Sequence, residues 1–208
     1  MSGRSKSSGR WLQEHFSDPF VQRAKSKGFR SRAVFKLEEI DRREKLLRAG
    51  EVCVDLGAAP GAWSQYALRR VGRAGRVIAN DLLELPPLPG LEFVQGDIRE
   101  PQVLEAVLAR CPERGIDVLL SDMAPNLSGV DAIDQPRSMH LSELALELAG
   151  RVLKRDGTAL IKVFQGAGFE ALVRGARAQF VTVKLLKPQA SRARSSELYL
   201  LAKALAMV

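Results

Sequence analysis

The most informative stretch for the fold is Val52-Cys53-Val54-Asp55-Leu56-Gly57-Ala58-Ala59-Pro60-Gly61-Ala62-Trp63. A short run of β-forming residues breaks at Gly57 into small residues, and a helical pattern resumes at about Trp63. The apolar residues of the run suit a strand that is buried on both faces inside a parallel sheet. Gly57 and Gly61 allow the loop backbone to approach a ligand closely. The stretch therefore predicts a central strand, a ligand-binding loop and the start of a helix.

The spacing of the loop favours a ligand that has no phosphate group. A dinucleotide fingerprint has the form G-x-G-x-x-G and places helix amides on a pyrophosphate, whereas this loop has two glycines and follows Asp55. A strand, loop and helix of this kind also occur in proteins that bind no ligand there. Acids at later strand ends suit a ligand with an amine, a ribose and a positive centre, such as S-adenosylmethionine.

The remaining chain alternates predicted strands and helices. Further strands are expected at residues 77–81, 91–97, 116–122, 158–164, 181–186 and 197–202, and helices at 11–27, 31–40, 63–71, 101–110, 136–153 and 169–180, the second capped by Ser31. Alternation of this kind favours a mostly parallel sheet with helices on both faces. Ligands bind beyond the carboxyl ends of the strands in such sheets, where the strand order reverses.

Acidic residues stand at the ends of four predicted strands: Asp55, Asp81, Asp97 and Asp122. One such acid is usually a turn or helix-capping residue, but four in register indicate a shared site. We expect Asp81 to bind ribose hydroxyls and Asp97 to bind the adenine amine. Trp63 and the Gly61 amide are expected to flank the methionine part of the ligand.

Lys162 lies inside a predicted strand that should be buried on both faces. An unpaired ammonium there would cost on the order of several kcal/mol, so the group must be paired, neutral or exposed at the strand end. Asp122 and Glu197 are expected to meet it above the sheet, with Lys36 joining from the second helix. The two acids favour the ammonium form, whereas burial and Lys36 favour the neutral amine.

The positive charge of the chain is concentrated at its front. Of the net charge of +8, residues 1–50 contribute +7. Residues 1–10 are interpreted as a solvated tail, but the lysines and arginines of 23–36 alternate with Phe29, Phe35 and other apolar residues. A segment of this composition can be anchored to a core and still contact phosphate, which predicts RNA or DNA as the partner.

Other compositional features narrow the class of protein. Cys53 and Cys111 form no metal-binding or disulfide pattern, so neither a metal site nor a disulfide framework is expected. No apolar run reaches the ~18 residues of a membrane span, and the polar start lacks a signal peptide. We therefore expect a cytoplasmic protein without a membrane association.

Five segments carry a resemblance to a known family: 31–37 (SRAVFKL), 55–61 (DLGAAPG), 121–126 (SDMAPN), 161–166 (IKVFQG) and 191–197 (SRARSSE). Together they resemble the bacterial FtsJ/RrmJ (RlmE) family of ribosomal RNA methyltransferases over nearly the whole chain. The resemblance implies the Rossmann-like, S-adenosylmethionine-dependent methyltransferase fold, an α/β fold whose seven-stranded, mostly parallel sheet has an antiparallel last strand. One methyltransferase domain is expected at residues 31–208, after a basic, partly flexible extension at 1–30.

The resemblance also implies the reaction and its residues. A Lys-Asp-Lys-Glu tetrad maps to Lys36, Asp122, Lys162 and Glu197, and the substrate is the 2′-hydroxyl of a uridine in the A loop of 23S ribosomal RNA, on the assembled 50S subunit. We expect Lys162 to be the base, because a ribose hydroxyl must lose its proton as the methyl group is attacked. Asp122 would orient Lys162, while Lys36 and Glu197 position the ribose. A monomer is expected.

Several alternatives remain open at the level of the sequence. An NAD-dependent oxidoreductase would need a third loop glycine and an acid–base group that the chain lacks. A base methyltransferase would want an aromatic residue beside Asp122 to stack a flipped base. Transfer RNA or the messenger-RNA cap are possible 2′-O substrates, and a non-catalytic RNA-binding assembly factor would share the basic front half.

Overall fold

The computed structural model describes residues 18–125, 128–192 and 195–206. Its helices are α1 (Pro19–Ser26), α2 (Val34–Glu44), α3 (Ala62–Val71), α4 (Pro101–Leu108), α5 (Asp131–Val152) and α6 (Phe169–Gln179). Its strands are β1 (Val52–Leu56), β2 (Arg76–Asp81), β3 (Leu91–Gln95), β4 (Ile116–Ser121), β5 (Leu153–Phe164), β6 (Phe180–Leu186) and β7 (Glu197–Leu205). The predicted tail at residues 1–10 and the start of the first predicted helix at 11–17 lie outside the described residues.

The strands form one seven-stranded sheet in the order β3-β2-β1-β4-β5-β7-β6. Strands β1 to β5 pair in parallel, whereas β7 is antiparallel to both β5 and β6. The predicted fold class is thereby confirmed. The strand order reverses between β1 and β4, so the crevice beyond their carboxyl ends is where a ligand is expected in a sheet of this kind.

The central position of β1 follows from its composition. Cys53, Val54 and Leu56 are fully buried, and the strand pairs with β2 on one side and β4 on the other. One apolar cluster packs β1 and its neighbours against α4, α5 and α6, and a second packs the opposite face against α1, α2 and α3. Burial on both faces explains why the strand is apolar at every position except Asp55 and does not alternate with polar residues.

Helix α5 begins at Asp131, five residues before the predicted start at Pro136. The Asp134 carboxylate accepts hydrogen bonds from the Ser128 and Gly129 backbone amides, both at 2.9 Å. These bonds hold the first turn, so the helix accommodates Pro136 in its interior. The proline removes one intrahelical donor but does not set the start of the helix.

Other element ends also differ from prediction. Strand β5 begins at Leu153, five residues early, and β3 ends at Gln95, so Asp97 follows the strand by two residues. Ser31 caps the turn before α2 rather than the helix itself, because its Oγ accepts a hydrogen bond from Ala33 N at 3.2 Å while α2 starts at Val34.

Helix α1 lies within the predicted N-terminal extension, yet it packs against the domain. Its Ala24 is buried in the same cluster as α2 and α3, and the Arg23 guanidinium lies 4.5 Å from the centroid of the Phe35 ring. Asp18 caps the helix by accepting a hydrogen bond from Phe20 N at 2.9 Å. The packed domain therefore already includes residues 18–30.

Candidate active site

A cavity of about 740 Å³ opens beyond the carboxyl ends of β1, β2, β3 and β4. Four of the predicted ligand-binding residues line it together: Gly57, Asp81, Asp97 and Asp122. Leu82, Leu83 and Ile98 add apolar wall between the acids. The cavity thus combines three carboxylates with apolar surface at the point where the strand order reverses.

Two of these acids also organise the cavity walls. Asp81 accepts hydrogen bonds from Ala59 N and Leu83 N, each at 2.8 Å, and so connects the loops after β1 and β2. Asp97 is bound by the Arg99 guanidinium, whose Nε lies 2.9 Å from Oδ1. These hydrogen bonds from Arg99 hold the pKa of Asp97 below its usual range, so Asp97 is an ionised acceptor at neutral pH.

Gly57 has a steric reason to be glycine. Its φ is +75°, and a Cβ atom there would lie 2.8 Å from the backbone of Met123. The loop after β1 therefore crosses the loop after β4 at a distance that only glycine permits, and both loops contribute to the cavity wall.

Asp55 lies beneath the loop rather than on the cavity wall, which corrects its expected place beside the other three acids. Its side chain is fully buried and accepts a hydrogen bond from Ser64 Oγ at 2.6 Å. Burial raises the pKa of Asp55 to about 7, against the lowering effect of the Ser64 hydrogen bond. Among the described residues its Oδ1 has no hydrogen-bond partner.

Trp63 and Gly61 also differ from expectation. The Trp63 indole is buried, donates to Ala33 O at 2.8 Å and packs on the Tyr199 ring, so this side chain cannot flank a ligand in the cavity. Gly61 N donates to Ala58 O at 2.6 Å and is therefore engaged in a turn. The periodicity of α3 explains the outcome, because Trp63 shares a helix face with the buried Ala67.

Lys162 and Asp122 meet at the edge of the cavity. Lys162 Nζ donates to the Asp122 backbone carbonyl at 2.8 Å and lies 3.1 Å from Asp122 Oδ1. The lysine side chain is 8% exposed, and its Nζ is paired with Asp122. Tyr199 OH donates to the same Oδ1 at 2.7 Å and fixes the carboxylate from the β7 side.

Lys36 and Glu197 form a second ion pair, with Nζ 2.6 Å from Oε1. Ser191 Oγ donates to the same oxygen at 2.8 Å. Glu197 was expected to meet Lys162, but in the structure it pairs with Lys36. Lys36 Nζ also lies 5.7 Å from the centroid of the Tyr199 ring, and Tyr199 contacts Asp122, so the four residues expected as a tetrad form two adjoining ion pairs.

The N-terminal basic segment and the loop before β7 lie side by side. Arg32 forms an ion pair with Asp18 and donates to Ala190 O at 2.5 Å, and Gln189 N donates to Glu39 Oε2 at 2.8 Å. The Arg32 guanidinium is therefore engaged within the fold, whereas Arg192 is exposed. Arg194 and Asn126, which belong to two of the segments that carry the family resemblance, lie outside the described residues.

Two properties of the described part of the chain concern other classes of site. No cluster of three or more His, Cys, Asp or Glu side chains there is arranged to hold a metal ion. None of the helices in that part combines the length and hydropathy required to cross a bilayer.

A family model described as FtsJ-like methyltransferase matches residues 29–205. The chain belongs to the FtsJ-like methyltransferase family. It is 56% identical over 201 residues to ribosomal RNA large subunit methyltransferase E of Stenotrophomonas maltophilia, which covers 97% of this chain and 96% of the relative. It is 54% identical over 200 residues to the protein of the same name from Legionella pneumophila, covering 96% and 97%.

Two solved structures resemble the structure of the chain. A ribosomal RNA methyltransferase structure from Plasmodium falciparum superposes with a TM-score of 0.75 at 27% identity, covering 85% of this chain and 98% of that one. An rRNA-methylase structure from Clostridium thermocellum, at 14% identity and a TM-score of 0.58, shares the fold and covers 82% and 97%.

Sequence reasoning missed two members of this FtsJ-like site, Tyr199 and Ser191. Tyr199 follows Glu197 by two residues on β7, so strand periodicity alone places both side chains on one face of the sheet. That signal was available in the sequence. Ser191 gave no comparable signal, because its contact with Glu197 depends on the path of the intervening loop.

Proposed function

We propose that this protein is a monomeric, cytoplasmic enzyme that transfers the methyl group of S-adenosylmethionine to the 2′-hydroxyl of a uridine in the A loop of 23S ribosomal RNA, acting on the assembled 50S subunit. The single observation that carries the proposal is the Lys162–Asp122 pair at the edge of the cavity that Asp122 lines. The names of the relatives, ribosomal RNA large subunit methyltransferase E, support the RNA substrate.

The chemistry of the cavity fits the methyl donor. Asp81 offers acceptor oxygens suited to ribose hydroxyls, and the ionised Asp97 offers oxygens suited to an adenine amine. Leu82, Leu83 and Ile98 supply the apolar surface that a purine plane requires. When bound, the donor supplies an electrophilic methyl group on a sulfonium sulfur, whose positive charge the Asp122 carboxylate favours.

Lys162 is placed to act on the acceptor. Its Nζ, in the neutral form, would accept the proton that leaves the ribose hydroxyl as the new O–CH₃ bond forms and the S–CH₃ bond of the donor breaks, with the sulfur leaving as a neutral thioether. Asp122 directs Nζ towards the edge of the cavity through two contacts, and Tyr199 holds the Asp122 carboxylate in place. Alignment of the hydroxyl with the donor then contributes to the rate, because the reactants are held in a productive geometry.

Lys36 and Glu197 are proposed to position the acceptor ribose and its phosphate. Their pair adjoins Lys162 through Tyr199, and it connects α2 to the start of β7. The exposed Arg192 extends this surface for phosphate contact.

The test is methyl transfer with labelled S-adenosylmethionine on four substrates: unmethylated 50S subunits, free 23S RNA, transfer RNA and capped messenger RNA. We expect label on 50S subunits, on the 2′-oxygen of one A-loop uridine after nuclease mapping. Label on transfer RNA or on the cap, and not on 50S subunits, would mean that this other RNA is the substrate. RNA binding without transfer to any of them would indicate an assembly factor.

A further inference from the structure

A second cavity, of about 710 Å³, lies next to the cavity proposed to bind the methyl donor, here called the donor cavity. Its walls come from the start of α5 and from the segments that follow β5 and precede β7. Gln165 and Ser196 are hydrogen-bonded to each other, from Gln165 N to Ser196 O at 3.1 Å. Gln165 lies three residues after Lys162, and Ser196 directly precedes Glu197. Pro136 lines both cavities, so the second one begins where the donor cavity ends.

The lining of this second cavity is unsuited to phosphate. Among the described residues that line it there is no lysine or arginine, and the one charged side chain is the carboxylate of Glu143. Pro136, Met139 and Ala167 provide apolar surface, whereas Gln135 and Gln165 provide amide groups. A flat, uncharged ligand with a polar edge matches this combination, and a nucleobase has these properties.

Gln135 supplies the most specific observation. Its Nε2 is buried and, among the described residues, has no hydrogen-bond acceptor. A buried amide donor without a partner is unfavourable, so a ligand carbonyl that accepts from it would be bound selectively. The amide lies beside Gly166, where a Cβ atom would approach Nε2 to 2.3 Å. Only glycine at position 166 allows the amide to occupy this place.

The geometry of the surrounding elements fixes the cavity relative to the reaction. Ser142 Oγ donates to the Lys162 carbonyl at 3.0 Å and so holds α5 against β5. Phe164 is in register with Glu197, which places the strand ends that frame the cavity beside both ion pairs. A nucleotide whose ribose lies at Lys162 therefore has its base within reach of this cavity.

We propose that this second cavity is a nucleobase subsite, in which Gln135 Nε2 donates a hydrogen bond to a carbonyl oxygen of the base of the nucleotide being methylated. The inference rests on the proposed RNA 2′-O-methylation and adds the base-binding residues to it. Uracil is suited to the subsite, because both of its carbonyl oxygens are acceptors. Glu143 and Gln165 offer acceptors for the uracil N3–H group.

The test is a double-mutant cycle that combines one substitution in the protein with one change in the RNA. Gln135→Met keeps the length of the side chain, adds no charge and removes the donor. The RNA partner is a large-subunit substrate whose target nucleotide carries either uracil or no base. On the uracil substrate we expect Gln135→Met to lower kcat/KM by roughly tenfold, consistent with loss of one hydrogen bond, with donor affinity within about twofold of wild type.

On the abasic substrate the wild type and Gln135→Met should be equal within about twofold, because the hydrogen bond is absent from both. A tenfold loss that persists on the abasic RNA, or no loss on the uracil RNA, overturns the subsite. Gln102→Met, an exposed glutamine on α4, is the matched control and should behave as wild type. If Gln135→Met alters donor affinity, Gln135→Glu, which also lacks the amide donor, is taken through the same cycle and decides it.

Failure of the subsite and failure of the proposed function have different signatures. A wild-type protein that methylates no RNA contradicts the proposed function, whatever Gln135 does. A wild type that is active on the uracil RNA, with a variant that shows no coupling to the base, contradicts only the subsite.

Discussion

The two lysine–carboxylate pairs of the site are built in different ways. Lys162 and Asp122 come from β5 and the end of β4, neighbouring parallel strands whose register is fixed by their backbone ladder. Lys36 and Glu197 come from α2 and β7, so their pair depends on the packing of the two ends of the chain against each other. The first pair belongs to the sheet, and the second belongs to a docked helix.

This difference suggests a division of roles. The sheet-built pair adjoins the donor cavity and has little freedom, which suits a proton transfer that requires precise alignment. The docked pair is held by Ser191 and by the contacts of Arg32 with Asp18 and Ala190 O. It lies where the basic segments meet, which suits binding and placement of RNA.

The largest expected effect is on the sheet-built pair. Lys162→Ala should lower kcat by about 10²–10⁴-fold in single-turnover methyl transfer while donor affinity stays within about twofold, because the base acts only in the transition state. Lys162→Arg should not restore activity, since guanidinium does not accept a proton at neutral pH. Lys203→Ala, a strand lysine that binds Glu44 at the other end of the sheet, is the control. Near-normal turnover by Lys162→Ala would make Lys162 structural.

Asp55 provides a pH-dependent test of the region beneath the loop after β1. Its pKa in the folded protein is about 7 and its ordinary value is 3.8, so the folded state binds more protons between these values. The protonated Asp55 carboxyl therefore contributes fully to the free energy of unfolding below pH 4, and this contribution is lost as the pH rises through 7. The part lost between pH 5 and 8 is about 2–3 kcal/mol.

Asp55→Asn should therefore remove about 2–3 kcal/mol of the decline in the free energy of unfolding between pH 5 and 8, measured by urea denaturation. Asp156→Asn, at an exposed position on β5, should leave the decline unchanged. An identical decline in wild type and Asp55→Asn would show that Asp55 is already ionised at pH 5.

Asp81→Ala tests the donor side next. We expect S-adenosylmethionine affinity to fall by about 1–3 kcal/mol, because an acceptor for the ribose hydroxyls is lost. Asp81→Asn should lose less, since its oxygen can still accept one of the hydrogen bonds from Ala59 N and Leu83 N. Calorimetry with the donor and filter binding with RNA measure the two affinities. Unchanged donor affinity in Asp81→Ala would exclude the assignment.

The sequence predicted the sheet-built half of the site better than the docked half. Alternation of elements and an apolar β1 determine a parallel sheet, and the acids at its strand ends then share one edge. The exception is Asp55, because the pattern places it at the end of a strand but does not predict whether its side chain lies on the cavity wall or in the interior. Its burial depends on Ser64 of α3, a contact that no local pattern encodes.

The docked half depends on contacts between distant parts of the chain. Lys36 and Glu197 were placed near each other by family resemblance, but the choice of Lys36 as the partner of Glu197 required the structure. Arg32 illustrates the limit well. A basic residue in a cationic segment is expected to face solvent, and only the fold reveals the carboxylate and the carbonyl that bind it.

Glu197→Gln tests the docked pair. We expect a roughly tenfold lower kcat/KM for RNA with unchanged donor affinity, because Lys36 loses its charged partner while the sheet-built pair stays intact. Lys36→Met should have a similar effect, and the double variant should lose less than the product of the two, as expected for residues in contact. Lys184→Met breaks the exposed pair with Glu44 and should change kcat/KM less than twofold. Additive losses would mean that the pair does not act as a unit.

The smallest effect concerns the basic surface beside the docked pair, where Arg192 is exposed and Arg32 is bound within the fold. Arg192→Ala should reduce the slope of log affinity for RNA against log salt by about one, because one phosphate contact and its counterion release are lost.

Arg32→Ala should instead lower the free energy of unfolding by about 1–3 kcal/mol, since Asp18 loses its ionic partner. Its effect on the salt slope should be smaller than that of Arg192→Ala. Arg155→Ala, exposed on β5 far from Phe164, controls for net charge. If Arg192→Ala keeps the wild-type salt slope, or if Arg155→Ala reduces the slope equally, the loop before β7 is not part of the RNA-binding surface.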